Sequence, residues 1–184
     1  NGRGPIFFFA LLPAGGYLPP PTMKTRLPVI LFALYLLEFV LLAVRPTSRT
    51  TWISENLTVV CIVTPLVWMY LKGIRFSNTA YVFMSILIFL HTLGGHYTFA
   101  QVPFGWITNL IGAQRNHFDR LAHFSVGFFA FGIMEFIESR RLSHHRAFSL
   151  LFALSAILAV AALFEIFEWL YATAADPVAG AEFL

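Results

Sequence analysis

Five long apolar segments, separated by short polar links, constrain this chain more than any other feature. A helix needs about 20 apolar residues to cross a bilayer. Backbone groups inside lipid must form their hydrogen bonds within the segment, so such segments are helices. The sequence predicts spans at 27–44, 53–71, 79–94, 118–137 and 147–171. We therefore expect an all-α, polytopic membrane helical bundle with about five transmembrane helices.

The composition agrees with a membrane protein and argues against several other classes. The chain is 58% hydrophobic and only 11% charged, whereas soluble domains are about a quarter charged. The single cysteine, Cys61, excludes an intramolecular disulfide framework and a cysteine-based metal cluster. The Lys and Arg residues flank the apolar segments and do not form one patch, which argues against nucleic acid as a partner. Membrane lipids are the expected surroundings.

The first 22 residues differ in character from the rest of the chain. They are rich in Gly and Pro around a short apolar run at 6–12, which is about half the length needed to span a bilayer. Met23 and Lys24 then lead into the first apolar segment, as a bacterial start would. We interpret 1–22 as a non-native or disordered extension and 23–184 as the multi-pass membrane domain.

The positive charges in the links predict the orientation, because cytoplasmic loops carry an excess of Lys and Arg. One side of the predicted bundle carries eight such residues: Arg3, Lys24, Arg26, Lys72, Arg75, Arg140, Arg141 and Arg146. The other side carries four: Arg45, Arg49, Arg115 and Arg120. We therefore expect a cytoplasmic N-terminus, with odd-numbered spans running outward.

With this orientation, six ionisable side chains in or beside the spans fall at the outer end of the bundle. They are His91, His96, Asp119, His123, Glu165 and Glu168. An ionisable group in a membrane span is costly and indicates a functional site. Residues three or four apart share a helix face. Asp119 and His123 therefore share one face, and Glu165 and Glu168 share another. The Gly94-Gly95 pair between the first two histidines predicts a turn that would let both rings point inward.

Imidazoles and carboxylates from facing helices are the usual ligands of metal sites that lack cysteine. We predict a divalent metal, Zn or Fe, with ligands His91, His96, His123 and Glu165. Asp119 would complete the shell as a catalytic residue, and Glu168 would be the general base on bound water. The alternative is a structural network in which Arg115 or Arg120 neutralises the acids, since buried pairs are weak evidence of function.

Three blocks of sequence resemble the YjdF-type bacterial inner-membrane proteins, a family whose domain has no assigned function. The blocks are HTLGGHYTFAQVPFG at 91–105, RNHFDRLAHFSVGF at 115–128 and FEIFEW at 164–169. The piece from Asp119 to Phe124 is also similar to VanZ-like membrane proteins. The resemblance implies a bacterial inner-membrane location and a conserved polar set made of the same six residues. It also implies a further acidic segment and a last helix after Leu184, so we expect the C-terminal part of the family domain to be missing here.

The residues leave three kinds of function open. We expect metal-dependent hydrolysis or group transfer on a lipid or lipid-linked substrate at the periplasmic face. A proton-coupled transporter or carrier would use the same groups to relay protons or bind an ion. A structural or accessory membrane subunit would use them to bind a protein partner.

Overall fold

The computed structural model of the chain describes residues 25–110, 112 and 114–174, apart from the side chains of 171 and 172. The predicted extension 1–22 and the last ten residues lie outside these ranges. All regular secondary structure within them is helical. The helices are α1 (Leu27–Leu42), α2 (Arg49–Leu71), α3 (Asn78–Tyr97), α4 (Gly105–Leu110), α5 (Phe118–Val126), α6 (Phe129–Ser139) and α7 (Arg146–Ala174). The predicted all-α membrane bundle is confirmed.

Four helical stretches are long and apolar enough to cross a membrane: Arg49–Leu71, Asn78–Tyr97, Phe118–Ser139 and Arg146–Leu170. Helix α1 has only 16 residues, just below the usual minimum of about 17. It nevertheless follows α3 from end to end. Thr25 Oγ1 donates to Asn78 Oδ1 at 2.8 Å at one end, and His96 Nδ1 lies 2.7 Å from the Leu42 carbonyl oxygen at the other. Helix α1 therefore covers the same depth as α3.

Helix α3 is the centre of the bundle. It packs against α1, α2, α5 and α6, and α7 packs against α6. Two apolar clusters form the core around it. One cluster contains Tyr35, Val59 and Ile88, and the other contains Phe76, Ala80 and Met84. The middle of the bundle is therefore apolar in the described residues.

Helix α3 continues through the glycine pair, so the predicted turn at Gly94-Gly95 is wrong. The helix ends at Tyr97, and the chain turns at Thr98 and Phe99, which have φ of 56° and 49°. Because residues five apart on a continuous helix point roughly 140° away from each other, His91 and His96 face different neighbours.

The glycine pair provides close contact between helices, and this explains why no turn forms there. A Cβ added at Gly95 would lie 2.9 Å from Glu55 Cβ on α2, and one at Gly94 would lie 2.4 Å from the Phe99 ring. Small residues at such positions let membrane helices approach each other closely. The glycines therefore join α2, α3 and the following turn.

The predicted continuous helix at 118–137 is two helices in the structure. Helix α5 ends at Val126 and α6 begins at Phe129. Between them the backbone hydrogen bonds join residues that are three positions apart, whereas those of an α-helix join residues four apart. Examples are the 3.1 Å bonds from Phe128 N to Ser125 O and from Ala130 N to Gly127 O. This tighter winding changes the rotational phase of α6 relative to α5.

The connection from α3 to α5 is fastened by Asn116. Its Nδ2 donates to the carbonyl oxygens of Ala100 and Val102 at 3.0 and 2.9 Å, and its Oδ1 accepts from Phe118 N at 2.9 Å. The side chain thus joins the connection to the first residue of α5. The position of Asp119, the next residue, follows from this attachment.

At the opposite end of the bundle, Glu135 joins α6 to the start of α3. Ser77 is the N-cap of α3 and accepts from Ala80 N at 3.2 Å. Glu135 accepts from both the backbone N and the Oγ of Ser77, each at 2.5 Å. A carboxylate at a helix N-terminus is favourable because of the helix dipole. Glu135 is therefore a structural residue.

We expect Gly95→Ala to destabilise the protein by about 1–3 kcal/mol, because the added Cβ overlaps Glu55 and must separate α2 from α3. Gly105→Ala is the matched control, since nothing lies within 4 Å of a Cβ there. Thermal unfolding in detergent measures both. Equal melting temperatures for the two variants would contradict the close contact.

We expect Glu135→Ala to cost about 1.5–3 kcal/mol, because the backbone N–H and hydroxyl of Ser77 both lose a charged acceptor. Glu138→Ala is the control on the same helix. It removes a partly exposed pair with Arg146, and such pairs contribute about 0–1 kcal/mol. If Glu138→Ala lowered the stability as much as Glu135→Ala does, the result would argue against a stabilising contact between Glu135 and the N-cap residue Ser77.

Candidate functional site

The candidate site begins with a buried pair between α3 and α2. His91 Nε2 lies 2.9 Å from Glu55 Oε2, and the two side chains are only 12% and 6% exposed. The rings of Phe99 and Phe164 enclose the imidazole, with centroids 5.3 and 6.3 Å from it. The ring nitrogen has no aligned hydrogen-bond partner, so the contact is a close approach of two ionisable groups and not a well-formed hydrogen bond. Such a pair is expensive to desolvate.

The sequence analysis missed Glu55. It is the third residue of the predicted span 53–71, and charges near span ends normally reach water. In the structure both Glu55 and Asn56 are buried, at 5% and 3% exposed. The available signal was the run of polar residues Ser54, Glu55 and Asn56 inside an apolar segment.

A second, more open part of the site lies between α5 and α7. His123 Nε2 is 3.2 Å from Asp119 Oδ1, and His123 Nδ1 is 3.1 Å from Glu165 Oε1. The side chains of His123, Asp119 and Glu165 are 46%, 57% and 58% exposed. Both ring nitrogens therefore face a carboxylate, and an imidazole can donate at both nitrogens only when it is protonated. The i,i+4 spacing correctly indicated that Asp119 and His123 share a face, and α7 supplies the third group.

A ring contact joins the two parts, since the His91 imidazole meets Phe164, the residue before Glu165 on α7. Glu168 follows Glu165 by one turn on the same helix. We define the polar cluster as Glu55, His91, Asp119, His123, Glu165 and Glu168. It contains four carboxylates and two imidazoles, so it stays net negative when all six groups are ionised. Such a cluster attracts cationic groups.

His96 belongs to a different part of the structure. Its Nδ1 lies 2.7 Å from the Leu42 carbonyl oxygen at the end of α1. Its own carbonyl oxygen accepts from Thr47 N at 2.9 Å. His96 thus holds the α1–α2 link against the end of α3, and its ring faces α1, away from the polar cluster.

The predicted metal ligands do not form a ready coordination shell. Among the residues that the structure describes, no group of three or more His, Cys, Asp or Glu side chains is arranged to hold a metal ion. His96 faces α1, and both ring nitrogens of His123 face carboxylates. The carboxylates and imidazoles match a divalent cation chemically, but this arrangement of them does not fit one. The Zn or Fe centre stays a prediction.

The end of the bundle that holds the polar cluster also contains buried polar atoms without a hydrogen-bond partner. In the described ranges these are Glu38 Oε2, Trp52 Nε1, Asn56 Oδ1 and His91 Nε2. They lie in the second half of α1, the first two turns of α2 and the last two turns of α3. Buried polar groups are normally satisfied by protein or ordered water. Among the described residues, these four atoms are therefore exceptions to that rule.

We expect Glu55→Gln to destabilise the protein far more than Glu165→Gln does. Removing one partner of a buried pair costs about 3–5 kcal/mol, whereas a pair exposed by more than a third contributes at most about 1 kcal/mol. Thermal unfolding of both variants in the same detergent compares them. Similar losses would contradict the division of the cluster into a buried and an open part.

Comparison with known proteins gives the family. The family model described as "Predicted membrane protein (DUF2238)" matches residues 27–184. "Inner membrane protein YjdF" of Escherichia coli (strain K12) is 31% identical over 128 residues, which cover 66% of this chain and 59% of that protein. The chain thus spans less than two thirds of the length of this relative. No solved structure matches the chain. On the extent of the model match, the chain belongs to the DUF2238 family of integral membrane proteins.

Proposed function

We propose that the polar cluster is the acid–base centre of a membrane enzyme that hydrolyses a lipid or lipid-linked substrate, or transfers a group from it. The observation that supports this most directly is His123 held between Asp119 and Glu165 and still half exposed. A protonated imidazole in this position can give the proton at Nδ1 to a leaving group that displaces the Glu165 carboxylate, while Asp119 at Nε2 holds the ring in place. Half exposure gives a substrate access to the ring.

Glu168 is the proposed general base. It lies one turn after Glu165 on α7, and Glu165 Oε1 is 3.1 Å from His123 Nδ1, so Glu168 belongs to the helix that contacts the proposed acid. In the reaction, Glu168 takes a proton from water as the water oxygen attacks the substrate. His123 gives its proton to the departing group, and the two residues then exchange protons with solvent.

The surroundings of the cluster favour a lipid substrate. The same two helices carry exposed apolar side chains beside it: Leu121 and Phe124 on α5, and Phe167 and Trp169 on α7. In a bilayer these side chains contact lipid, and tryptophan prefers the interface between the hydrocarbon and the headgroups. A substrate with an acyl or isoprenoid chain could therefore approach along these helices from within the membrane.

Proton-coupled transport is the second candidate, and Glu38 is the observation that favours it. Its buried Oε2 has no hydrogen-bond partner, so it could extend a proton route from the cluster towards α1. Against transport, the described core around Val59 and Ile88 is apolar, and Glu135 at the far end is bound to Ser77. A proton flux in liposomes that Glu38→Gln abolishes would favour transport.

A fixed stoichiometric partner on purification would favour an accessory subunit.

Activity can be tested in proteoliposomes made from bacterial lipid extract, with lipids compared by mass spectrometry before and after incubation. We expect turnover of a lipid species, reduced by about 10²–10⁴ in His123→Asn and in Glu168→Gln. Glu138→Gln is the control, because that carboxylate pairs with Arg146 outside the cluster. Full turnover by His123→Asn would show that His123 is not the acid. If the purified protein contained stoichiometric Zn or Fe, and His123→Ala and Glu165→Ala lost it, the predicted metal would belong to this centre.

We further propose a cytoplasmic N-terminus, which places the polar cluster at the periplasmic face. In a Cys61→Ser background, Gln114→Cys lies in the connection before α5 and His144→Cys lies in the link between α6 and α7, and both native side chains are exposed. A membrane-impermeant maleimide applied to intact spheroplasts should label the cysteine at 114 at once and that at 144 only after lysis. The reverse pattern would place the cluster on the cytoplasmic side.

A further inference from the structure

A groove between α1, α2 and α3 extends from the end of the bundle opposite the polar cluster to the central apolar core. Its volume is about 250 Å³, and its lining includes Pro28, Phe32, Val67, Leu71, Met84 and Ile88. On α1 it extends from Pro28 to Tyr35, a distance of about 10 Å at the helical rise. A dry apolar cavity of about 150 Å³ already binds benzene. The groove can therefore accept part of a hydrocarbon chain.

Three cationic residues lie at the end of this groove that is farthest from the polar cluster. Arg26 precedes Pro28 by two residues, Lys72 follows Leu71, and the side chains of both are exposed. Arg75 is exposed as well, and its Cζ lies 3.7 Å from the ring centroid of Tyr70, which also lines the groove. We call Arg26, Lys72 and Arg75 the cationic rim. Glu135, a carboxylate at this end, is already bound to Ser77.

The combination of an apolar groove and a cationic rim selects one kind of occupant. A phospholipid places its acyl chains at membrane depth and its phosphate at the interface, which matches the position of each part. Lys and Arg near a membrane surface favour anionic lipids by about 1 kcal/mol each, and basic pockets between membrane helices bind anionic headgroups. A zwitterionic headgroup would bring its own cation to the rim and lose much of this attraction.

We propose that the protein binds an anionic phospholipid here, with one acyl chain in the groove and the phosphate at the cationic rim. Since the cationic rim and the polar cluster lie at opposite ends of the bundle and the groove is apolar, this site is separate from the proposed acid–base centre. Binding joins α1, α2 and α3 near the end where Thr25 donates to Asn78. The lipid therefore stabilises the attachment of α1.

The test measures thermal unfolding of the purified full chain in detergent, titrated with dioleoylphosphatidylglycerol or with dioleoylphosphatidylcholine. We expect saturable stabilisation by phosphatidylglycerol and at least tenfold weaker binding of phosphatidylcholine. The double variant Lys72→Gln/Arg75→Gln should bind phosphatidylglycerol roughly 30-fold more weakly, because two cations are removed. The control is Arg45→Gln/Arg49→Gln, which removes the same charge at the other end.

A second variant tests the groove without changing the charge. Val67→Phe places a larger side chain among the groove residues, and it should also weaken phosphatidylglycerol binding by tenfold or more. Circular dichroism and gel filtration check that it folds, and lipid retention measured by native mass spectrometry gives a second readout. Equal binding of the two lipids, or unchanged binding by the Lys72→Gln/Arg75→Gln variant, would overturn the proposal. Unchanged binding by a folded Val67→Phe variant would overturn the placement of the acyl chain.

Discussion

The structure depends on the contact between α2 and α3 at Gly95. Because this residue has no side chain, Glu55 Cβ can lie only 2.9 Å from the position that a Cβ would take there. The Glu55 carboxylate then reaches His91, one turn earlier on α3. Two ionisable groups are held in the bundle because they are held together, since either one alone would leave an uncompensated charge away from water. The open part of the polar cluster adjoins this pair, because Phe164, the residue before Glu165, contacts the His91 ring.

The two ends of the bundle differ in chemistry. One end collects the polar cluster and the buried polar atoms without partners, and the side chains of Asp119, His123 and Glu165 are about half exposed there. The other end is closed by the Glu135–Ser77 contact and carries the cationic rim. An apolar core around Val59 and Ile88 separates them. This division is the basis for proposing an acid–base centre at one membrane face and a lipid site at the other.

Much of the architecture could be predicted because it depends on local properties. The predicted spans begin within about four residues of the helices α1, α2, α3, α5 and α7. The i,i+4 spacing of Asp119 and His123 was enough to bring the two side chains together. The break at Gly127, however, depends on how α5 and α6 each meet α3. The continuity of α3 through Gly94 likewise depends on a neighbouring helix and on Phe99.

The sequence by itself determined that this is a helical membrane protein and which end of it collects the costly polar residues. The lengths of the apolar segments predict the membrane spans. Because successive spans run in opposite directions, their order predicts at which end of the bundle each residue lies. Only the tertiary structure decided which of those residues meet. It brought in Glu55 and turned His96 towards Leu42, because the direction of a side chain depends on the rotational phase and close packing of its helix. Those are set by contacts between residues far apart in the chain.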